Sequence, residues 1–482
     1  MAVVKVAEMP VLQTVMQQSG VAFGTSGARG LVAAMTDDVC AAYTQAFIKT
    51  VQSAFSFKQV AIAVDLRPSS PRIAEACAKM LRQLGLEVIF CGAIPTPALA
   101  LFAQTRGVPG IMVTGSHIPF DRNGLKFYRP DGEITKSDEA AMLASELQSL
   151  SETASSLPEE DPVARAEYIQ RYKDLLGEQA LAGLKLAIYQ HSSVARDVLH
   201  SLLGDLGAEV ICLERSDIFV PIDTEAVSAE DTQRGLDWVA QYQVDAIIST
   251  DGDGDRPLIS DEHGHWLRGD IVGLLTAQAL QISHLAVPVS CNTAIEASGF
   301  FQQVARTRIG SPFVIAGMQA LQQEGAPSVA GFEANGGFLL GSHIANAPSL
   351  QPLPTRDAVL PVVTLLAQVK ALGKPLSQLV AALPQRFTAS DRLQDFPTEK
   401  SKALLAGWTE HPEHMLQSLQ LAEQLSHIDS TDGLRATLQS GRVVHLRPSG
   451  NAPEFRCYVE ENSQAAAQSL LTAVMAQLKQ FA

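Results

Sequence analysis

Apolar positions along the chain follow two alternating rhythms. The stretch VAIAVDLRPSSPRIAEACAKMLRQLGLEVIF (60–90) opens with a short continuous apolar run and crosses a polar loop. It then sets Ile73, Cys77, Met80 and Leu84 at helical spacing and ends in LG and a second apolar run. This predicts strand, loop, helix, strand. The order returns in LKLAIYQHSSVARDVLHSLLGDLGAEVIC (184–212), where Val198, Leu202 and Leu206 share a helical face and the LG-x-EVI ending recurs. HLAVPVSCNTAIEASGFFQQVARTRIG (284–310) reads as a weaker third copy. Aligning the copies makes Gly85, Gly207 and Gly310 equivalent, spaced by roughly one α/β domain rather than by a solenoid repeat.

Alternating strands and helices predict α/β units with mixed, mainly parallel sheets, and functional loops at the strand ends. The C-terminal part differs. A helix near 376–384, the strand-like LRATLQS, RVVHLRP and FRCYVEE, and a helix over about 464–480 predict a smaller α+β domain. Between the first two units, SETASSLPEEDP (151–162) is polar, acidic and Pro-containing, as a linker would be.

Composition narrows this picture. With 482 residues, 46% hydrophobic and 18% charged, and no run of 18 apolar residues, the chain reads as a multidomain globular protein without a membrane partner. MAVVKVAEMPVLQTVM lacks the pattern of a secretory signal, so a cytoplasmic location is expected. Cys40, Cys77, Cys91, Cys212, Cys291 and Cys457 show no CxxC spacing and are expected to be reduced core thiols. A net charge of −15 argues against a nucleic-acid partner, allows an anion where basic residues gather locally, and suits a cation site.

The strongest local chemistry is VDAIISTDGDGDRPLI (244–259), where Asp251, Asp253 and Asp255 alternate with glycines after a strand. Three such carboxylates can converge on one hard cation, and magnesium with an open position fits. A helix-flanked calcium loop does not. Arg256 replaces its required glycine, and a strand precedes the loop. RPSGNAPEFRCYVEE (447–461) offers turn N–H groups with Arg447 and Arg456, which suits a phosphate as well as an ordinary hairpin. GFEANGGFLLG (331–341) sets Glu333 and Asn335 in a turn where they could meet sugar hydroxyls, although Asn-Gly is also a common hairpin turn. Arg29 in VAFGTSGARGLV and the RTRIGSP loop are weaker phosphate candidates. TGSHIP (114–119) on its own fits a polar turn as well as a nucleophile. His117 and Lys126 beside it offer charge and proton transfer. The hydrolase elbow, the P-loop and the GxGxxG fingerprint are all absent.

Read in order, FGTSGARG, TGSHIPFDRNGLKFY, TDGDGDRP, GFEANGG and RPSGNAPEFRCYVE resemble the motif series of the α-D-phosphohexomutase family, which includes phosphomannomutases and phosphoglucomutases. The resemblance implies four domains around a central cleft: 1–158 with the serine loop, 159–262 with the metal loop, 263–376 with the sugar loop, and 377–482 with the phosphate loop. It implies that Ser116 carries a phosphoryl group and that Asp251, Asp253 and Asp255 hold Mg²⁺ together with the Ser116 side chain. Arg29, His117, Lys126 and Arg256 would serve charge stabilisation and proton transfer. Glu333, Asn335 and Gly310 would meet the sugar, and Arg447, Ser449, Gly450, Asn451 and Arg456 the non-reacting phosphate. The implied reaction moves phosphate between O1 and O6 of a hexose through hexose 1,6-bisphosphate, which also acts as activator.

The family's sugar loop usually reads Glu-x-Ser-Gly followed by histidine or a small residue; here Asn335 replaces the serine and Gly337 stands at the last position. Asn451, Ala452 and Ile118 are further departures. The serine, the metal ligands and the principal arginines are untouched. TGSH rather than TASH favours mannose or glucose 1- or 6-phosphate over phosphoglucosamine as substrate, with mannose first. A sugar-phosphate phosphatase or a non-catalytic sugar-phosphate binder are the rival readings.

Overall fold

Four β-sheets follow one another along the chain. The computed structural model describes residues 11–150, 156–449 and 453–481, so part of the expected linker, with Gly450 and Asn451, lies outside the described residues. Residues Glu160 and Asp161 of that linker pack on the first sheet, where Asp161 N donates to Phe90 O at 2.7 Å.

The first three sheets share a plan. Each has a parallel trio with its earliest strand in the middle: Gln59–Val64 between Glu87–Ala93 and Gly110–Val113; Lys185–His191 between Glu209–Arg215 and Ala246–Thr250; His284–Pro288 between Gln303–Thr307 and Val329–Phe332. An antiparallel strand then extends each trio: Arg122–Arg129, Pro257–Ile259 and Phe338–Leu340. Three functional loops therefore occupy one topological slot, the turn between the third parallel strand and the antiparallel strand after it. TGSHIP, DGDGDR and EANGG are those turns.

The crossover helices follow the periodicity. Ser70–Gln83 buries Ile73, Cys77 and Met80, and Arg196–Asp205 buries Val198 and Leu202. The third crossover is only the single turn Ala294–Ala297, which alters the repeat alignment. Gly299 (φ 63), not Gly310, corresponds to Gly85 and Gly207, each a left-handed glycine shortly before the second strand. Gly310 instead precedes the helix Ser311–Gln323, with Thr25 so close that a Cβ would lie 2.2 Å from it.

One apolar core runs through all three α/β units, from Leu99 and Phe102 through Leu202 and Ile248 to Phe332 and Leu366. The C-terminal sheet has a core of its own, including Leu446, Phe455, Cys457 and Val474. Its strands run Phe387–Leu393, Phe455–Glu461, Val443–Pro448, Leu434–Leu438, Leu425–Asp429, all antiparallel. Helix Gln464–Leu478 covers one face, and alternation turns Arg435, His445, Arg447, Arg456 and Tyr458 to the other. Helix Leu376–Ala381 packs on Gly269–Ala279 rather than on this sheet, with Leu376 in the shared core.

All six cysteines are free and five are buried. Cys212 is exposed, contrary to the expectation of a core thiol, because Glu209–Arg215 is an edge strand. No helix among the described residues is long and apolar enough to cross a membrane.

Candidate active site

Ser116 stands in the left-handed region (φ 54) and is fully buried. A non-glycine residue there costs of order 1 kcal/mol and persists only when its surroundings hold it. Arg67, itself buried, supplies that hold. Its guanidinium donates to the carbonyls of Ser116 (3.0 Å), Ile118 (2.5 Å), Pro119 (2.7 Å) and Arg122 (2.9 Å), and Nε donates to Asp65 Oδ2 at 3.1 Å. Phe219 closes the other face, its ring centre 3.9 Å from the guanidinium carbon. Asp65 also accepts from Thr114 Oγ1 and Ser70 Oγ, and Thr114 Oγ1 accepts from Ser116 N at 2.8 Å. A Cβ on Gly115 would come within 2.6 Å of Arg67, so the motif requires glycine there. Ile118 enters through its carbonyl, a contact that does not dictate its side chain.

Ser116 Oγ donates to Asp251 Oδ2 at 2.7 Å, across two domains. Asp251, Asp253 and Asp255 are all essentially fully buried, and one oxygen from each lies within 4.8 Å of the others. Lys126 reaches Oδ2 of Asp253 (2.5 Å) and of Asp255 (2.6 Å). Thr96 Oγ1 donates to Asp253 at 2.7 Å, and Arg356 bridges Asp255 (3.0 Å) to Glu333 (3.1 Å). Burial and the neighbouring carboxylates push Asp251 well above the usual carboxylate range. Burial acts the same way on Asp253 and Asp255, but the nearby cations outweigh it, Lys126 at Asp253 and Arg356 foremost at Asp255, so both end lower.

His117 Nδ1 accepts from Arg256 at 2.8 Å and lies 3.3 Å from Ser116 Oγ. Burial, then Arg256 and Arg29, bring the imidazole down to about 2, so it is neutral at physiological pH. Arg29, in strand Ala28–Leu31 opposite Gly124, makes no side-chain hydrogen bond or ion pair among the described residues. Burial, followed by repulsion from Arg256 and Arg356, brings it down to about 10. It remains cationic and unengaged beside the carboxylates.

The sugar-loop turn is closed by Gly336 N to Glu333 O (2.9 Å) and Gly337 N to Asn335 Oδ1 (3.0 Å). Gly337 is a close-approach position, since a Cβ there would lie 2.5 Å from Arg356 Cδ. In the C-terminal sheet, Arg447 and Arg456 are directly opposed across strands, and Arg392 opposes Arg456 from the other side. Three guanidinium groups in register form a local cationic strip, an arrangement that favours an anion. Arg447 meets Asp432 at 3.2 Å and Arg456 meets Glu454 at 3.0 Å. Ser449 N donates to Glu454 O at 2.9 Å.

Models of the four phosphoglucomutase/phosphomannomutase domains match the chain in sequence: the α/β/α domain I over residues 20–154, domain II over 166–264, domain III over 268–387 and the C-terminal domain over 388–477. The chain belongs to the phosphoglucomutase/phosphomannomutase family. A phosphomannomutase of Salmonella muenchen is 50% identical over 467 residues, covering 96% of this chain and 97% of that one. One of Sinorhizobium fredii is 42% identical, covering 95% and 99%. Among solved structures, a protein from Thermus thermophilus described as a putative phosphomannomutase shares the fold, with a TM-score of 0.74, 22% identity and coverage of 95% and 99%.

The aspartate loop fits a hard cation such as magnesium. The donors are all oxygens, and Asp253 Oδ1 and Asp255 Oδ1 are buried without a hydrogen-bond partner among the described residues. Buried carboxylate oxygens without partners are costly unless a cation meets them. Of the residues expected from the motifs, the structure gathers Ser116, His117, Lys126, Asp251, Asp253, Asp255 and Arg256 into one bonded cluster, which Arg356 extends to Glu333. Asn335 lies in the turn beyond Glu333, and Gly310 lies against Thr25. Arg447, Ser449 and Arg456 sit on the separate C-terminal sheet. Motif reading missed Asp65, Arg67, Thr96, Arg356 and Arg392. A D-x-R placed where an apolar strand ends was a usable signal for the first two; Thr96, Arg356 and Arg392 carry none locally.

Proposed function

We propose that this enzyme is a Mg²⁺-dependent phosphomannomutase that passes phosphate between O1 and O6 of mannose through phosphorylated Ser116. The observation that carries this reading is the bonded pair of Ser116 Oγ and Asp251 Oδ2, ringed by Lys126, Arg256, Arg356 and the unengaged Arg29. The preference for mannose rests on the relatives. Phosphomannomutases match at 50% and 42% identity, whereas the phosphoglucosamine mutases match at 28% or below.

In the first half-reaction a sugar hydroxyl oxygen bonds to phosphorus as the bond from phosphorus to Ser116 Oγ breaks. The hydroxyl proton passes, by way of Lys126, to the freed Ser116 Oγ as the phosphoryl group passes to the sugar. The second half-reaction runs in reverse with the other phosphate of hexose 1,6-bisphosphate, restoring phosphoserine. Arg67 holds the serine carbonyl so that Oγ faces the aspartate loop, while Arg29 and Arg256 stabilise charge on the group in transit. Bound Mg²⁺ supplies Lewis-acid stabilisation of the phosphoryl oxygens. His117, held neutral, accepts from Arg256 and orients it. Lys126 is the cation assigned to proton handling. Glu333 and Asn335 position the sugar hydroxyls, and Arg447, Ser449 and Arg456, with Gly450 and Asn451, grip the other phosphate.

The test supplies Mg²⁺, trace hexose 1,6-bisphosphate, and mannose, glucose or N-acetylglucosamine 1-phosphate in parallel. Mannose 6-phosphate should form fastest. Release of free phosphate instead would favour a phosphatase, and no conversion would favour a binder. Ser116→Ala should abolish turnover while keeping the fold; turnover like that of the unmodified enzyme would refute the phosphoserine assignment.

A further inference from the structure

Thr355, Arg356 and Asp357 end the last strand of the third sheet, Leu353–Asp357, and each reaches a different part of the molecule. Thr355 Oγ1 donates to Glu133 Oε1 of the first unit at 2.7 Å. Asp357 accepts from Tyr168 Oη at 2.7 Å and from Tyr172 Oη, both on helix Val163–Leu176. It also accepts from the N–H groups of Val359 and Leu360, where helix Val359–Leu372 begins. The backbone of Arg356 is thus anchored on both sides. Its side chain is buried, and its stem crosses Gly337, where a Cβ would collide with it.

The guanidinium is divided between two carboxylates with different tasks. Nε and Nη2 both lie 3.0 Å from Asp255 Oδ2, and Nη1 donates to Glu333 Oε2 at 3.1 Å. In each carboxylate one oxygen is taken and the other is left. Asp255 Oδ2 also accepts from Lys126 at 2.6 Å, whereas Oδ1 is buried without a hydrogen-bond partner among the described residues, with Arg256 Nε 3.7 Å away. Glu333 Oε2 is taken by Arg356, and Oε1 makes no hydrogen bond among the described residues.

A carboxylate pinned through one oxygen presents the other in a fixed direction. The partner that pins a metal ligand in this way commonly sets about 10–100-fold in metal affinity. Here a single guanidinium pins both the cation ligand and the sugar acceptor. A cation at Asp255 Oδ1 fixes that carboxylate, hence the guanidinium plane, hence Glu333, so a sugar hydroxyl arriving at Oε1 meets an acceptor already in place. The same free energy operates in the other direction. Asp255 and Glu333 lie on different edges of the guanidinium, and a compact ammonium in its place lacks the width to hold both.

We propose that Arg356 is a positioning residue that couples the cation loop to the sugar loop: by holding Asp255 and Glu333 in one geometry, it makes each subsite bind more tightly when the other is filled. The proposal rests on the phosphomannomutase reading, which gives Glu333 its sugar. Transfer to a sugar hydroxyl is thereby favoured over transfer to water, because the cation is held best when sugar is present.

The experiment uses the full chain with Ser116 unphosphorylated, Mn²⁺ as a paramagnetic probe of the aspartate loop, and mannose 6-phosphate. Electron paramagnetic resonance counts free Mn²⁺ with and without the sugar phosphate, and calorimetry measures sugar-phosphate affinity with and without Mn²⁺. In the unmodified protein each ligand should tighten the other about tenfold, by the same factor in both directions. In Arg356→Lys, which keeps the charge, that factor should fall to within about twofold of unity, and Mn²⁺ alone should bind about tenfold more weakly. Gly337→Ala keeps the guanidinium but presses on its stem. It should lower the factor to about threefold, and it decides the matter if Arg356→Lys does not fold. An unchanged factor in the folded variants overturns the proposal, even if melting temperature falls, since that is the mark of a merely structural ion pair. Absence of coupling in the unmodified protein overturns it too. Failure of the unmodified protein to make mannose 6-phosphate would instead defeat the mutase reading.

Discussion

Replacing Arg67 separates what holds the fold from what aims the serine. In Arg67→Ala the Asp65 carboxylate loses its ion pair in a fully buried setting, and breaking such a pair from one side costs about 3–5 kcal/mol. Four carbonyls of the serine loop lose their donor at the same time, and Ser116 is no longer pinned at φ 54. A displacement of about 1 Å at the reacting atom costs on the order of 100-fold in rate. Arg67→Ala is therefore expected to lose both stability and turnover. The informative variant is Arg67→Met with Asp65→Asn, which removes the stranded charge and refills the space. It should recover most of the denaturant stability while kcat stays depressed about 100-fold, and intact mass should show slow phosphorylation of Ser116. Recovery of kcat along with stability would refute the positioning argument. So would an Arg67→Ala enzyme within about threefold of the original rate.

Three further expectations follow from particular contacts. Gly337→Ala drives a Cβ to 2.5 Å from Arg356, so it should cost about 1–3 kcal/mol and raise KM for the sugar phosphate by shifting Glu333; unchanged KM and melting temperature would contradict the close approach. Asp253→Asn removes a buried ligand oxygen, and a magnesium titration of activity should shift to higher concentration; an unaltered titration would argue against the metal assignment. His191, buried and held at about 4 chiefly by desolvation, stays neutral in the folded protein while the unfolded chain takes up a proton below about 6.5. Its contribution to stability is thus lost as pH falls from about 6.5 to about 4, up to roughly 3 kcal/mol, and His191→Gln should show a shallower fall in denaturation midpoint across that window.

The parts legible in sequence are those whose residues act within a few positions of one another. Asp251, Asp253 and Asp255 read as a cation loop because their alternation with glycine already brings them together. The helical faces at Ile73 and Val198 read correctly because their crossover helices run for 14 and 10 residues. The third crossover is a single turn, which periodicity cannot register, and Gly310 took the place that belongs to Gly299. The long-range part of the site was hidden for another reason. Arg67 and Arg356 look like ordinary charged residues at strand ends, and only the assembled sheets show Arg67 reaching four carbonyls or Arg356 joining two loops. The burial that makes His117 a poor base is likewise a property of the closed cluster rather than of the letters TGSH. Asn335 and Gly337, departures on paper, become intelligible as a self-closed turn and as the space through which Arg356 passes.

Three turns in one topological position, each following the third strand of a parallel trio, carry the Ser116, aspartate and Glu333 loops. None of the three units contains a working centre, because the bond between Ser116 and Asp251 and the bridge from Asp255 to Glu333 both cross unit boundaries. The reactive geometry is therefore an alignment between neighbours, as in an assembly of subunits, even though one chain supplies them all. An enzyme built this way should fail by misregistration: small slips between units would silence it while every sheet and helix remained intact.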